Sequence, residues 1–152
     1  MRYAAPFIIA FLVFACAKEM TPEQTVIENF KALGDENIQL YMATVGGPRA
    51  DAAGQLLSTL FSDYDVAYTI DTIQLLSSVG GMAQVRTVVT AKDKGGPKKY
   101  HDNQMVFIQK LSKENGKWVI VSAEVERKNI FEMESPATAD SVTGQTAPNT
   151  KK

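Results

Sequence analysis

Few residues in this 152-residue chain could do chemistry alone. The one His stands beside a carboxylate, as His101-Asp102, in a β-rich run. Neighbouring side chains of a strand point to opposite faces, so this pair would not share one proton-transfer site. His101 reads first as a strand-edge histidine, and Asp71, in an earlier run, as a strand-face or edge carboxylate; a general base is the alternative for each. No catalytic residue is assigned. Tyr41, Tyr64, Tyr68, Arg86, Tyr100 and Trp118 suggest a different kind of site, an apolar wall with polar handles suited to a small molecule. Among these, Tyr41, Tyr68, Arg86, Tyr100 and Trp118 are the candidate ligand contacts, with core and sheet-face packing as the competing role. One His and one Cys cannot assemble a zinc or iron–sulfur centre, so neither metal nor cofactor is expected. The run Lys92-Asp93-Lys94-Gly95-Gly96-Pro97-Lys98-Lys99 lacks the Gly-Lys-Ser/Thr ending of a phosphate loop and reads as a charged, solvated hairpin. With 16 Lys+Arg against 17 Asp+Glu the chain has no basic excess, which argues against nucleic acid as a partner.

The remaining reactive residue is Cys16. Thirteen of the first fifteen residues are apolar, and the run 7–14, preceded by Arg2, is too short to cross about 30 Å of hydrocarbon comfortably as a helix. Residues 1–15 therefore read as a signal peptide. Val13-Phe14-Ala15-Cys16 resembles a bacterial lipobox, with an aliphatic residue at -3, a small one at -1, and cleavage between Ala15 and Cys16; Phe14 departs from the usual small residue at -2. The resemblance implies a lipid on Cys16, 16–20 as a short linker, and a bacterial envelope location. Ala17 in place of Asp points to the outer membrane. An ordinary cleavage site or an uncleaved anchor are the alternatives.

The elements that would position the other candidates follow from caps and periodicity. Thr21-Pro22-Glu23-Gln24 is a capping box with Pro at the first helical position. Val26, Ile27, Phe30 and Leu33 continue at helical spacing, and Gly34 is the expected C-cap. Asp35 should cap a short second helix that ends before Gly46-Gly47-Pro48, and a third helix should span 49–62. The period then changes to two, with β-rich runs at about 65–77, 82–92, 100–111 and 117–126. Gly80-Gly81, residues 93–97 and Asn115-Gly116 supply the turns. The fold class is α+β, with N-terminal helices packed on a curved, four-stranded antiparallel meander in a cone shape. The domain should occupy 21–131, and 132–152 read as a disordered polar tail.

The stretches Thr21-Pro22-Glu23-Gln24-Thr25-Val26-Ile27-Glu28-Asn29-Phe30-Lys31-Ala32-Leu33-Gly34-Asp35 and Asn115-Gly116-Lys117-Trp118-Val119-Ile120-Val121-Ser122 resemble the nuclear transport factor 2-like superfamily. More narrowly, the chain is similar to small bacterial lipoproteins of that superfamily that carry a domain of unknown function. The resemblance implies a cone whose mouth serves catalysis in some members. The leading expectation is a lipid-anchored, non-catalytic module that binds a small apolar ligand or an envelope protein. The alternatives are an isomerase- or dehydratase-like enzyme using His101 or Asp71, and a homodimeric structural module using the mixed sheet face.

Overall fold

The computed structural model describes residues 19–47 and 50–130. Cys16, Ala15, the signal segment and the C-terminal tail lie outside the described residues. Three helices, α1 (Pro22–Gly34), α2 (Ile38–Met42) and α3 (Ala50–Asp63), precede four strands, β1 (Val66–Val79), β2 (Met82–Asp93), β3 (Asn103–Glu114) and β4 (Lys117–Ile130). The strands form one antiparallel meander in the order β1-β2-β3-β4. The expected α+β architecture is therefore the observed one.

Helix α1 starts where its sequence dictates. Thr21 Oγ1 accepts from Gln24 N at 3.2 Å, and Gln24 Oε1 accepts from Thr21 N at 3.0 Å, so two backbone donors without intrahelical partners are satisfied. Its end differs from expectation. Gly34 is the last helical residue, and the left-handed position falls on Glu36, at φ 53. Asn37 N donates to Ala32 O and Glu36 N to Leu33 O, the reciprocal bonds of a Schellman ending. Asn37, not Asp35, then caps α2 by accepting from Leu40 N at 3.0 Å. The two-residue displacement places an ordinary side chain where glycine is favoured.

Alternation in β2 decides which way the sheet curves. Ala83, Val85, Thr87, Val89 and Ala91 are all buried, whereas Gln84, Arg86, Val88 and Thr90 on the other face are only partly covered. Val26 and Phe30 of α1 pack into the concave face against Val85, Val89, Leu111 and Ile120. Phe30 lies 5.6 Å from Phe107 and 6.3 Å from Tyr68, centroid to centroid. Register shifts between Ile70 and Thr72, Leu75 and Ser77, Val106 and Phe107, and Lys110 and Leu111 bend the outer strands around the helix. Beside β4, Val45 makes a parallel bridge to Ile120.

The third strand begins at Asn103, later than the expected Tyr100, because the preceding loop has other partners. Lys94 N donates to Asp65 O at 2.9 Å and Lys98 N to Asp63 O at 2.8 Å. The ammonium groups of the same lysines pair with the carboxylates of Asp65 and Asp63 at 2.7 and 2.8 Å. This loop, expected to be only a solvated hairpin, clasps the junction between α3 and β1. It also places His101 in a loop, exposed, and not on a strand edge.

The clasp and the helix ending predict opposite effects. A Cβ on Gly96 would stand 2.3 Å from Asp65 N, so Gly96→Ala should destabilise the domain by about 1–3 kcal/mol. Glu36→Gly should stabilise it by about 1 kcal/mol by relieving the left-handed position. Urea unfolding of the two variants measures both signs.

Candidate functional site

The concave face is apolar near α1 and polar at its margins. Asn29, on the buried side of α1, donates from Nδ2 to Thr44 Oγ1 at 2.7 Å, and Thr44 Oγ1 donates to Tyr41 O at 2.7 Å. On the sheet, Thr87 Oγ1 donates to Gln109 Oε1 at 2.7 Å, again fully buried. Toward the clasp, Asn103 Nδ2 donates to Tyr100 Oη at 3.0 Å and to His101 O at 2.8 Å. Asn103 is 1% exposed, and its Oδ1 has no hydrogen-bond partner in the structure. A buried carbonyl without a donor is costly, so this atom marks a point of unused hydrogen-bonding capacity.

Two of the five candidate contacts, Tyr41 and Tyr100, act on a third, Tyr68. Burial pushes the Tyr68 phenol up to about 12, and the phenols of Tyr100 and Tyr41 add to the shift. Burial also raises Tyr41, against an opposing hydrogen bond with Asn29. Such phenols stay protonated at neutral pH; they can donate hydrogen bonds to a ligand but are poorly matched to proton transfer there. Two openings flank the cluster. A cleft of about 570 Å³ between α1 and β1 includes Phe30, Tyr68 and Ile70, and a groove of about 360 Å³ between the α2–α3 region and β4 includes Tyr41, Leu56 and Val121.

Arg86 and Trp118 lie elsewhere. Arg86 is on the outer sheet face, where Nε meets Glu126 Oε2 at 3.2 Å. Trp118 is at the β3–β4 hairpin, 6.0 Å from Lys113 Nζ to the ring centroid. The two acid/base alternatives are also apart from the phenols. Asp71, exposed at a register shift, accepts at Oδ2 from Thr90 Oγ1 at 2.6 Å and Gln104 Nε2 at 3.0 Å, both residues of the outer face. Asp102 Oδ1 accepts from Asp93 N at 2.8 Å, beside the exposed His101. Among the described residues, no three His, Cys, Asp or Glu residues gather as a metal site.

The model of the "Anti-sigma-I factor RsgI9, C-terminal domain" matches residues 24–130, nearly all of the described domain. The chain belongs to the RsgI9 C-terminal domain family. The match spans α1 through β4, so family membership covers both the helix that fills the sheet and every strand of the meander. No curated protein sequence matches the chain. Solved structures agree on the nuclear transport factor 2-like, or cystatin-like, fold. A cystatin-like protein of unknown function from Nostoc punctiforme is similar at 11% identity and TM-score 0.56, over 67% of this chain and 84% of that one. A putative scytalone dehydratase from Novosphingobium aromaticivorans is similar at 15% identity and TM-score 0.57, over 74% and 87%. An NTF2-like protein of unknown function from Pseudomonas putida gives 11% and 0.55, over 67% and 80%. At these identities the likeness concerns the fold.

The residues that sequence reasoning missed are the buried amides and hydroxyls: Thr25, Asn29, Thr44, Thr87, Asn103 and Gln109. Asn29 shares the helical spacing of Thr25, Val26 and Phe30, and Thr87 shares the strand parity of Val85 and Val89. That periodicity was the available signal.

The phenol cluster predicts an alkaline limit to stability. An unfolded tyrosine ionises near 10, whereas folded Tyr68 holds its proton to about 12. Its contribution is thus fully present below pH 10 and is lost as pH rises from about 10 to 12. Urea unfolding across that window should show a shallower decline for Tyr68→Phe than for the parent chain.

Proposed function

We propose that this domain is a non-catalytic binding module of a bacterial cell envelope, held at a membrane through Cys16, which takes a small ligand at Tyr41, Tyr68 and Tyr100. In this reading residues 1–15 are removed, 16–20 link the lipid to the domain over 21–131, and 132–152 form a polar tail. The observation that carries the binding role is the half-buried Tyr68 phenol, raised by burial and by the neighbouring Tyr100 and Tyr41, at the end of the sheet where Tyr100 shares a hydrogen bond with the buried Asn103, whose Oδ1 is unpartnered, while Asp71 and His101 stand apart. Hydrogen-bond donors and one spare acceptor on an apolar wall suit recognition of a compact neutral molecule with hydroxyl or amide groups.

The family description adds a partner class. The RsgI9 C-terminal domain is part of an anti-sigma-I factor, and a domain whose occupancy biases such a regulator would need binding and no turnover. Association with a sigma/anti-sigma system is therefore part of the proposal for this chain. Ala17 after the Cys favours the outer membrane as the site of attachment.

NMR chemical-shift mapping of the full chain against a panel of small polyols, amides and aromatic alcohols tests the binding reading. The expected result is a ligand that shifts Tyr41, Tyr68, Tyr100 and Asn103 and is recovered unchanged, with Tyr68→Phe weakening it about three- to tenfold. Chemical conversion of the ligand would favour the enzyme reading instead. Shifts confined to surfaces away from these residues would also contradict the proposal.

A further inference from the structure

One end of the domain gathers five of its exposed large apolar side chains. The turns Gly80-Gly81 and Asn115-Gly116 lie side by side there, with Lys113 N donating to Gly81 O at 2.8 Å. Around them Met20, Leu40, Leu76, Val79 and Met82 are between 42% and 79% exposed. Met20, Leu40 and Trp118 also line a mostly apolar groove of about 590 Å³ between the start of α1, α2 and the β3–β4 hairpin. Single exposed apolar residues are ordinary, but several gathered at one end mark a surface that meets something apolar.

The position of Cys16 indicates what that is. It precedes by three residues Glu19, whose carboxylate pairs with Lys113 at this same end. Three extended residues span at most about 10 Å. A lipid on Cys16 would hold the bilayer within that distance of Glu19, and one residue further from Met20, however the domain turns.

We infer that this end is a membrane-docking face, an inference that rests on the membrane-anchored reading above. Met20, Leu40, Val79 and Met82 enter the boundary between headgroups and acyl chains, Trp118 sits at headgroup depth, and the Lys117 ammonium reaches back to the phosphates. Lys113 and Lys117 stand against Glu19, Glu28 and Glu114 nearby, so docking depends on apolar burial and not on anionic lipid. The far end of the sheet carries Tyr68, Tyr100 and Asn103, together with Ile130, where β4 ends. Docking thus points Tyr68, Tyr100 and Asn103 away from the bilayer, toward soluble ligands.

Trp118 is the single Trp in the chain and reports its own surroundings. The full chain, made in a bacterial host with radiolabelled palmitate, would be reconstituted in phosphatidylcholine vesicles carrying doxyl-labelled lipid near the headgroups. The expected result is a labelled chain whose Trp118 emission moves to shorter wavelength and is quenched about twofold, with or without phosphatidylglycerol. Leu40→Asp combined with Val79→Asp should abolish most of the quenching while the label persists, and Leu56→Asp on α3 should leave it unchanged. The label reads the anchor and the quenching reads the face. A labelled chain with unshifted, unquenched Trp118 overturns the docking face and leaves the anchor standing. An unlabelled chain that does not bind vesicles overturns both, and Trp118 protection that appears only with an added protein assigns the face to that protein and overturns lipid docking.

Discussion

The structure depends on the insertion of one side of α1 into a curved sheet. Val26 is fully buried and Phe30 nearly so, and their partners Val85, Val89 and Leu111 come from the two central strands. Burying side chains of this kind contributes about 1.5–3 kcal/mol each, so the contact outweighs the surface ion pairs at about 0–1 kcal/mol each. The sheet must bend to enclose a helix. Its bends occur in the outer strands β1 and β4, at register shifts that leave residues such as Asp71 on the outside.

That single packing solution gives the domain two chemically different ends. Where α1 begins, the chain arrives close to two tight turns and a group of exposed apolar side chains. Where β1 begins and β2 ends, the β2–β3 loop folds back over the α3–β1 junction, and Tyr68, Tyr100 and Asn103 meet beneath it. Lys94 and Lys98 of this loop, which resemble anion ligands in composition, are taken up by Asp65 and Asp63. Their pairing leaves the phenols and the Asn103 carbonyl as the distinctive polar groups at that end.

Local rules made most of this architecture legible in the sequence. The Thr21–Gln24 capping box, the change from period 3.6 to period 2, and the Gly-Gly and Asn-Gly turns each encode their own geometry within a few residues. What escaped depends on distant partners. Gly34 looked like the helix stop, but the Schellman bonds formed two residues later and forced Glu36 into the left-handed region. Tyr100 and His101 looked like the start of a strand, but the clasp of Lys94 and Lys98 on the α3–β1 junction delays pairing until Asn103. Of the five candidate contacts, Tyr41 and Tyr100 lie near enough to raise the Tyr68 phenol, and Tyr100 also bonds Asn103, whereas Arg86 and Trp118 lie apart. Strand parity alone does not reveal such separation, because it names a face and not a position along it.

Helix α3 packs less deeply than α1. Leu57 is its buried apolar residue among the described side chains, and Leu56 is 71% exposed, whereas α1 buries six residues. Native-state hydrogen exchange of the full chain measures the consequence directly. Amides of α1, β2 and β3 should exchange together through global unfolding, while those of α3 exchange through a separate opening of lower free energy. Exchange of α3 at the same free energy as α1 would contradict the claim that α1 in the curved sheet is the stable unit on which the remaining elements depend.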